Sequence, residues 1–397
     1  MKKIMVLAAG ILKVPVIQKA RAMGYYVIAV DGNSEACGFK YADKAICANI
    51  ISEEEILEIA KAERIDGVIH PCSEVSMSVM GRINDELQLH GVTREQAIIA
   101  TNKHLMRKAF DKGGAPNPIS YMPESCEDAW KFFCEKLGTA AILKPSRNSG
   151  SRGIAKVEVG ISRECFENHY NIALRESRDH SVLIEQYIEG PEFSVEIIVW
   201  DNVINVLAIT DKKTTGAPHF VELGHNQPSC YPDEIINVIK SAAISGVKSL
   251  GVNDCACHAE IKVQDQKAYI MEIGARMGGD FISTILTPIS TGVDMPAAAI
   301  NCALGIEPNL LPNNTPKPVC VRYFTPPVGK LSHAELSPLC EDARVIEHQL
   351  YISNGDIINS TTSSSTRSGH IIVVGEDVQS AIELADNIVR ETTFYVE

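Results

Sequence analysis

The chain has 397 residues, more than one ordinary hydrophobic core can organise, so two or three packed domains are expected. Its hydrophobic fraction of 45% excludes a disordered chain. Its net charge of −13 argues against a nucleic-acid partner, because phosphate backbones need a basic face. An anionic ligand would need local cationic pockets, so the positions of Lys and Arg carry more information here than those of the carboxylates.

Residues 4–9 read as a buried parallel strand, with Gly10 as the turn after it. Behind Met1-Lys2-Lys3 this apolar run is too short for a secretory leader and passes straight into a helical pattern. No apolar run reaches membrane-spanning length, so a cytoplasmic chain without a membrane partner is expected. A helix over 14–23, a strand over 25–31, a helix over 53–63, a strand over 67–70 and a helix over 77–87 continue the alternation. That order predicts a doubly wound parallel sheet ending near residue 98. Asp31 closes the second strand as a ribose-binding acid would, but Gly10 is followed by Ile-Leu-Lys and the G-x-G-x-x-G spacing is missing. Close approach of a pyrophosphate is then poorly supported, and a structural first domain is favoured over a dinucleotide-dependent oxidoreductase.

The middle of the chain has an α+β rhythm. A helix is expected over 103–112, a Pro-containing loop over 115–118, and strands over 140–144 and 154–159 on either side of a Ser/Gly/Arg loop. A helix over 163–175 and a strand over 182–186 follow, then antiparallel strands over 193–199, 203–210, 254–263 and 268–273. A Pro-rich run at 312–318 marks a boundary. The tail, from about Cys320, reads as strands and turns ending in a helix over 378–392, with the polar, low-complexity stretch 361–368 as an exposed loop. The 12 cysteines show no paired CxxC spacing. Cys255-Ala256-Cys257-His258 lacks a second cluster, so reduced, partly buried thiols are expected rather than a metal centre.

Chemistry concentrates in the middle section. Lys144 ends a strand and is followed by Ser146, Ser149, Gly150, Ser151 and Gly153, a small polar loop whose N–H groups and hydroxyls can fold over phosphates. It lacks the Gly-Lys-Ser/Thr end of a Walker loop; the alternative is a solvated hairpin. Glu185 and Glu192 flank a strand end and a turn. Glu260 lies on an alternating strand and Glu272 at the end of the next, and two such glutamates can converge on a hard cation. Strand alternation puts His258 on the face of Glu260.

In order and spacing, Lys103, Lys144, the 146–153 loop, Glu185, Glu192, Glu260 and Glu272-x-x-x-Arg276 resemble the ATP-grasp superfamily across the middle 200 or so residues, with a matching pre-ATP-grasp domain ahead. Residues 220–229, His258-Ala259-Glu260 and the run from Glu272 to Asp280 resemble the L-amino acid ligase branch. The resemblance implies α/β plus α+β architecture: a Rossmann-like first domain over 1–98, an ATP-grasp domain of two α+β lobes over 99–305 with the phosphate-covering lobe within 120–188, and a C-terminal α+β lobe over 306–397. It also implies ATP and Mg2+, with Mn2+ as a substitute, a small carboxylate joined to an amine through an acyl phosphate, and compatibility with a homodimer.

Residue by residue, the resemblance assigns Lys103 and Lys144 to the nucleotide phosphates, under the 146–153 loop with Ser146, Ser149, Gly150, Ser151 and Gly153. It makes Glu185, Gln186, Tyr187 and Ile188 the adenine hinge and gives the ribose hydroxyls to Glu192. Glu260 and Glu272 would hold magnesium. Arg276, with Lys144, would serve the reacting groups. Glu222, His225, His258, Gly278, Gly279 and Asp280 would lie on the substrate side, the histidines alternatively capping loops. Gly274 departs from the Asn that many superfamily members carry. The rivals are a purine-biosynthesis ligase such as phosphoribosylglycinamide synthetase, the far longer carbamoyl-phosphate synthase large subunit, and a catalytically silent nucleotide-binding module, which would not need the acidic pair.

Overall fold

The structure, a computed structural model, describes residues 1–148, 152–217 and 219–397. Its N-terminal sheet has four parallel strands in the order Lys44–Cys47, Tyr26–Asp31, Lys3–Leu7 and Gly67–Ile69. The strands are short apolar runs because helices cover the sheet on both faces. Helix Val14–Ala22 begins with a proline in its first turn and buries Val16, Ile17 and Ala20, while helix Glu53–Glu63 opens with three glutamates against its positive end. The parallel architecture is the one the alternating pattern predicts. Strand Lys44–Cys47 and helix Arg94–Thr101 were not expected: the first is an exposed edge with little apolar signal, and the second is announced by a Thr93–Gln96 capping box. Asp31 accepts hydrogen bonds from the backbone N–H groups of Ala9 (2.7 Å) and Asn33 (2.8 Å), so its carboxylate braces the strand end.

The small lobe is a four-stranded antiparallel sheet ordered Ser120–Tyr121, Val182–Gln186, Ala141–Pro145, Ala155–Val157. Helices Cys126–Phe132 and Arg163–Glu176 close it around Phe133, Phe166 and Tyr170.

The large sheet has eight antiparallel strands in the order Lys267–Gly274, Cys255–Gln264, Glu192–Trp200, Val203–Thr214, Glu222–Gln227, Val319–Tyr323, Gly369–Val374, Val345–Leu350. Its last three strands lie beyond the Pro-rich run, so the tail extends the sheet of the middle section. Helix Asp233–Leu250 packs on one end of this sheet through Gly246, where a Cβ would come within 2.5 Å of the Ile273 side chain. A separate three-stranded sheet, Ile357–Ile358, Gly329–Glu335 and Thr393–Val396, closes the chain.

The stretch expected as an exposed loop over 361–368 is different. Residues Ser364–Thr366 form a helical turn, Ser368 is buried, and Arg367 reaches back to Asp280. Composition marks such a stretch as polar but cannot show that an ion-pair partner awaits one of its side chains. Cys255 and Cys257 are buried free thiols, their sulfurs 3.8 Å apart. Among the described residues, no helix is long and apolar enough to cross a membrane.

Candidate active site

Two adjoining cavities between the small lobe and the large sheet share Lys103, Lys144, Ile154, Glu222, Glu260 and Glu272. The outer one, about 140 Å³, is a slot whose apolar walls are Ile142, Ile154, Ile188 and Met271, with the strip from Glu185 to Ile188 along its edge. The inner one, about 160 Å³, is lined by charge: Glu74, Lys103, Lys144, His258, Glu260, Glu272 and Arg276.

Glu185 ends strand Val182–Gln186 and is almost wholly buried. Its oxygens meet Arg107 Nε at 2.7 Å, Arg107 Nη2 at 3.2 Å and Lys144 Nζ at 2.6 Å. Burial alone would raise this carboxyl, but the two cations outweigh it and hold its pKa at about 2. Arg107 also donates to the carbonyls of Ile270 and Met271, so the same guanidinium rivets the small lobe to the large sheet. The Glu185 carboxylate therefore faces its ion pairs, and it is the chain from 185 to 188 that borders the slot. Replacing Arg107 with Met is expected to destabilise the protein by about 3 kcal/mol, the cost of a buried charge stripped of its main partner. Urea unfolding measures this, and an unchanged midpoint would contradict the rivet.

Lys103 sits in the first turn of helix Lys103–Gly113, whose cap is Asn102 accepting from Leu105 N–H. Its Nζ lies 3.1 Å from Glu272 Oε2 and donates to the Asn148 carbonyl at 3.1 Å. Burial opposes the Lys103 charge, but the carboxylates around it, Glu272 foremost, keep its pKa raised. Lys144 is the opposite case: burial outweighs Glu185, with Arg107 adding to it, and its pKa falls to about 8. Protonated Lys144 is the form that attracts phosphate. Nucleotide affinity is therefore expected to weaken as pH rises through about 8 and to stay flat in Lys144→Arg, whose guanidinium does not titrate there. A series of nucleotide titrations across that interval checks it, and equal slopes for the two proteins would contradict it.

Glu260 and Glu272 are direct cross-strand partners, with a register shift just after Glu260. Directly opposed residues stand on one face, their Cβ atoms about 5 Å apart. Glu272 is balanced by Lys103 and Glu260 by Lys212, whose Nζ lies 3.3 Å away. Two carboxylates on one face suit Mg2+, which takes one or two from protein and completes its shell with phosphate and water oxygens. Among the described residues no group of three or more His, Cys, Asp and Glu side chains is placed to hold a metal.

Lys212 was not anticipated. Its strand was expected to end at 210, yet it runs to Thr214, and the polar Asp-Lys-Lys-Thr run hides an inward-facing lysine. The buried ammonium lies 2.5 Å from Glu192, 3.3 Å from Glu260 and 3.8 Å from Glu222, and despite burial these carboxylates lift its pKa well above the usual lysine range. Glu192 opens strand Glu192–Trp200 on the border of the outer slot.

Arg276 donates to the Met277 carbonyl at 3.0 Å and to Glu74 at 3.0 Å. Glu74, from a loop of the N-terminal domain, was also missed, because nothing in its local sequence marks it. Burial first, then Glu272, pushes its carboxyl up to about 7. At Gly274 a Cβ would lie 3.2 Å from the Arg276 guanidinium, so this glycine makes the room in which Arg276 lies. An asparagine there would have to displace it.

His258 faces the same cavity, its Nε2 3.7 Å from Glu260. On its other side Nδ1 donates to the buried Glu196, which also accepts from Ser283 and from the Gly278 N–H. Burial disfavours the imidazolium, but Glu196 prevails and lifts the His258 pKa to about 9. Gly278 is dictated by this packing: a Cβ there would come 2.5 Å from His258 Nδ1, whereas Gly279 has open space. Glu196 and Ser283 were not anticipated, since one sits in an apolar strand and the other in a later helical turn. Of the remaining expected residues, His225 Nε2 lies 3.4 Å from Asp280, and Glu222 lines both cavities. The Gln186 and Tyr187 N–H groups bond to the carbonyls of Ile119 and Ala140. Ser146 is buried, and Gly153 has φ +73° with the Glu176 side chain 2.7 Å from where a Cβ would stand. Ser149, Gly150 and Ser151 lie outside the described residues.

Residues 137–285 match the model of the ATP-grasp domain, and residues 322–397 that of the L-amino acid ligase C-terminal domain 2. The alanine–anticapsin ligase of Bacillus subtilis strain 168 is 28% identical over 250 residues, 57% of this chain and 52% of that protein. The chain spans about half the length of the curated relatives it matches. Among solved structures, L-amino acid ligase from Bacillus licheniformis superposes with a TM-score of 0.84 at 18% identity, covering 100% of this chain and 99% of that one. Phosphoribosylglycinamide synthetase from Anaerococcus prevotii gives 0.80 at 22%, covering 100% of both. Likenesses at these identities establish the fold. The chain thus matches an ATP-grasp domain through its middle and, behind it, the C-terminal domain of L-amino acid ligases.

Proposed function

We propose that this chain is an ATP-dependent carboxylate–amine ligase that joins an amino acid carboxylate to an amine or a second amino acid through an acyl phosphate, releasing ADP and phosphate. The observation that carries the reading is the inner cavity, where the opposed carboxylates of Glu260 and Glu272 stand among Lys103, Lys144 and Arg276. That arrangement suits a triphosphate arriving with magnesium. The apolar slot would take adenine beside the 185–188 strip, with Glu192 near the ribose hydroxyls.

A carboxylate is a poor electrophile. In the first step its oxygen bonds to the γ-phosphorus while the bond from that phosphorus to the bridging oxygen breaks, and ADP leaves with the electron pair. Such a transfer is mainly positioning and charge stabilisation, which Lys103, Lys144 and Arg276 can supply, with bound magnesium adding further positive charge. The amine nitrogen then attacks the acyl carbon, phosphate leaves with the C–O electron pair, and the nitrogen gives up a proton. Enclosure of the site keeps water from the acyl phosphate.

A purine-biosynthesis ligase is the second reading, favoured by likenesses such as that to phosphoribosylglycinamide synthetase; the match of the tail to the amino acid ligase domain supports the first. The test is ADP release with magnesium-ATP against single and paired amino acids. Stimulation by a specific pair is expected; silence across the panel, with ATP binding demonstrated separately, would turn the reading toward a phosphorylated or other non-amino-acid carboxylate.

A further inference from the structure

Glu222, which lines both cavities, is bonded from behind by the C-terminal domain. Arg367 lies flat over Tyr323, its Cζ 3.6 Å from the ring centroid, and its two terminal nitrogens donate to the two oxygens of Asp280 at 2.7 Å each. The same guanidinium reaches the carbonyls of Ser364 at 2.9 Å and Glu222 at 3.4 Å. Ser364 Oγ, in the turn that delivers Arg367, donates to Glu222 Oε2 at 2.7 Å. A planar bidentate pair over an aromatic face is a geometry that a lysine cannot reproduce.

The charges of the wall show what this does. Asp280 has both oxygens occupied by Arg367 and a further contact to His225. Glu74, Glu192 and Glu272 each have a cation within 3.1 Å, at Arg276, Lys212 and Lys103. Glu222 shares Lys212, at 3.8 Å, with the nearer Glu192 and Glu260, and Arg367 adds a second cation beside it. Glu222 lines the inner cavity with one carboxylate oxygen held by the neutral Ser364 hydroxyl, in the turn that Arg367 anchors.

We infer that Arg367 is a positioning residue that makes the cleft selective for a substrate bearing a protonated amino group, by withdrawing Asp280 from the cavity and aiming Glu222 into it. This rests on the ligase reading for the identity of the reaction, but the placement of Glu222 stands apart from it. The C-terminal domain thereby contributes to substrate choice through Glu222.

The experiment compares wild type, Arg367→Met, Arg367→Lys and Ser364→Ala. ADP release is read with amino acids and with the same carboxylates lacking the amino group. Arg367→Met is expected to raise the KM for the amino substrate about tenfold or more, the worth of one charge-assisted contact, with the KM for ATP unchanged. Arg367→Lys recovers only part of the loss, and Ser364→Ala shifts the amino-to-deamino preference in the same direction. An unchanged preference in Arg367→Met, or an equal rise in the KM for ATP, overturns the inference. Hydrogen exchange gives an arm independent of turnover: residues 220–227 and 278–283 should lose protection in Arg367→Met while residues 182–188 keep theirs. A wild type that answers no amino substrate counts against the ligase reading; unaltered exchange at 220–227 counts against the role of Arg367, whatever the activity.

Discussion

Glu272→Gln is expected to abolish ADP formation while leaving nucleotide binding close to that of the unaltered protein. The substitution keeps the shape of the side chain and removes one charge of the Glu260–Glu272 pair, which are opposed in register. A hard cation held by the two carboxylates would lose half of its protein ligation, and Lys103 loses its closest carboxylate. If the lost stabilisation of the transferring phosphoryl group is about 4 kcal/mol, turnover falls about a thousandfold. Binding is spared because the walls of the slot, Ile142, Ile188 and Met271, do not depend on that charge. Normal turnover of the variant at saturating magnesium would sink the metal assignment.

Arg276→Ala should lower turnover by two or more decades with little change in ATP affinity. Arg276 lines the inner cavity and is absent from the lining of the outer slot proposed for adenine, so its charge would meet the reacting groups and not the base. One cationic contact in such a site is worth about 3 kcal/mol, about a hundredfold. Removing Arg276 also releases Glu74, whose carboxyl, raised to about 7 by burial and by Glu272, then has no guanidinium to draw it down. The double variant Glu74→Gln with Arg276→Ala should therefore lose less than the two single losses combined. Isothermal titration showing that ATP affinity alone had changed would contradict the assignment, as would full additivity of the two losses for the coupling.

Local chemistry accounts for much of what was legible. Helices Glu53–Glu63 and Met77–Leu87 and strand Val182–Gln186 fall where periodicity places them, because each carries its own apolar face and its own end signals. The opposed carboxylates were legible too: alternation along two consecutive strands fixes which face each presents, and a hairpin brings those faces together. Lys103, Lys144 and Arg276 join that pair only through the resemblance to the ATP-grasp superfamily, and all five line one cavity.

The balance of charge around those residues was not legible. Glu74 comes from the N-terminal domain, Arg107 crosses from a helix to a strand 78 positions away, and Arg367 crosses 87 positions to Asp280. Composition and periodicity along the chain determined the layers and the order of the elements, because each depends on neighbours within a few positions, while the residues facing the cleft were named by the resemblance. Only the tertiary structure decided which cation each carboxylate of the cleft meets. Coulomb interactions fall off with distance in space and are blind to separation along the chain.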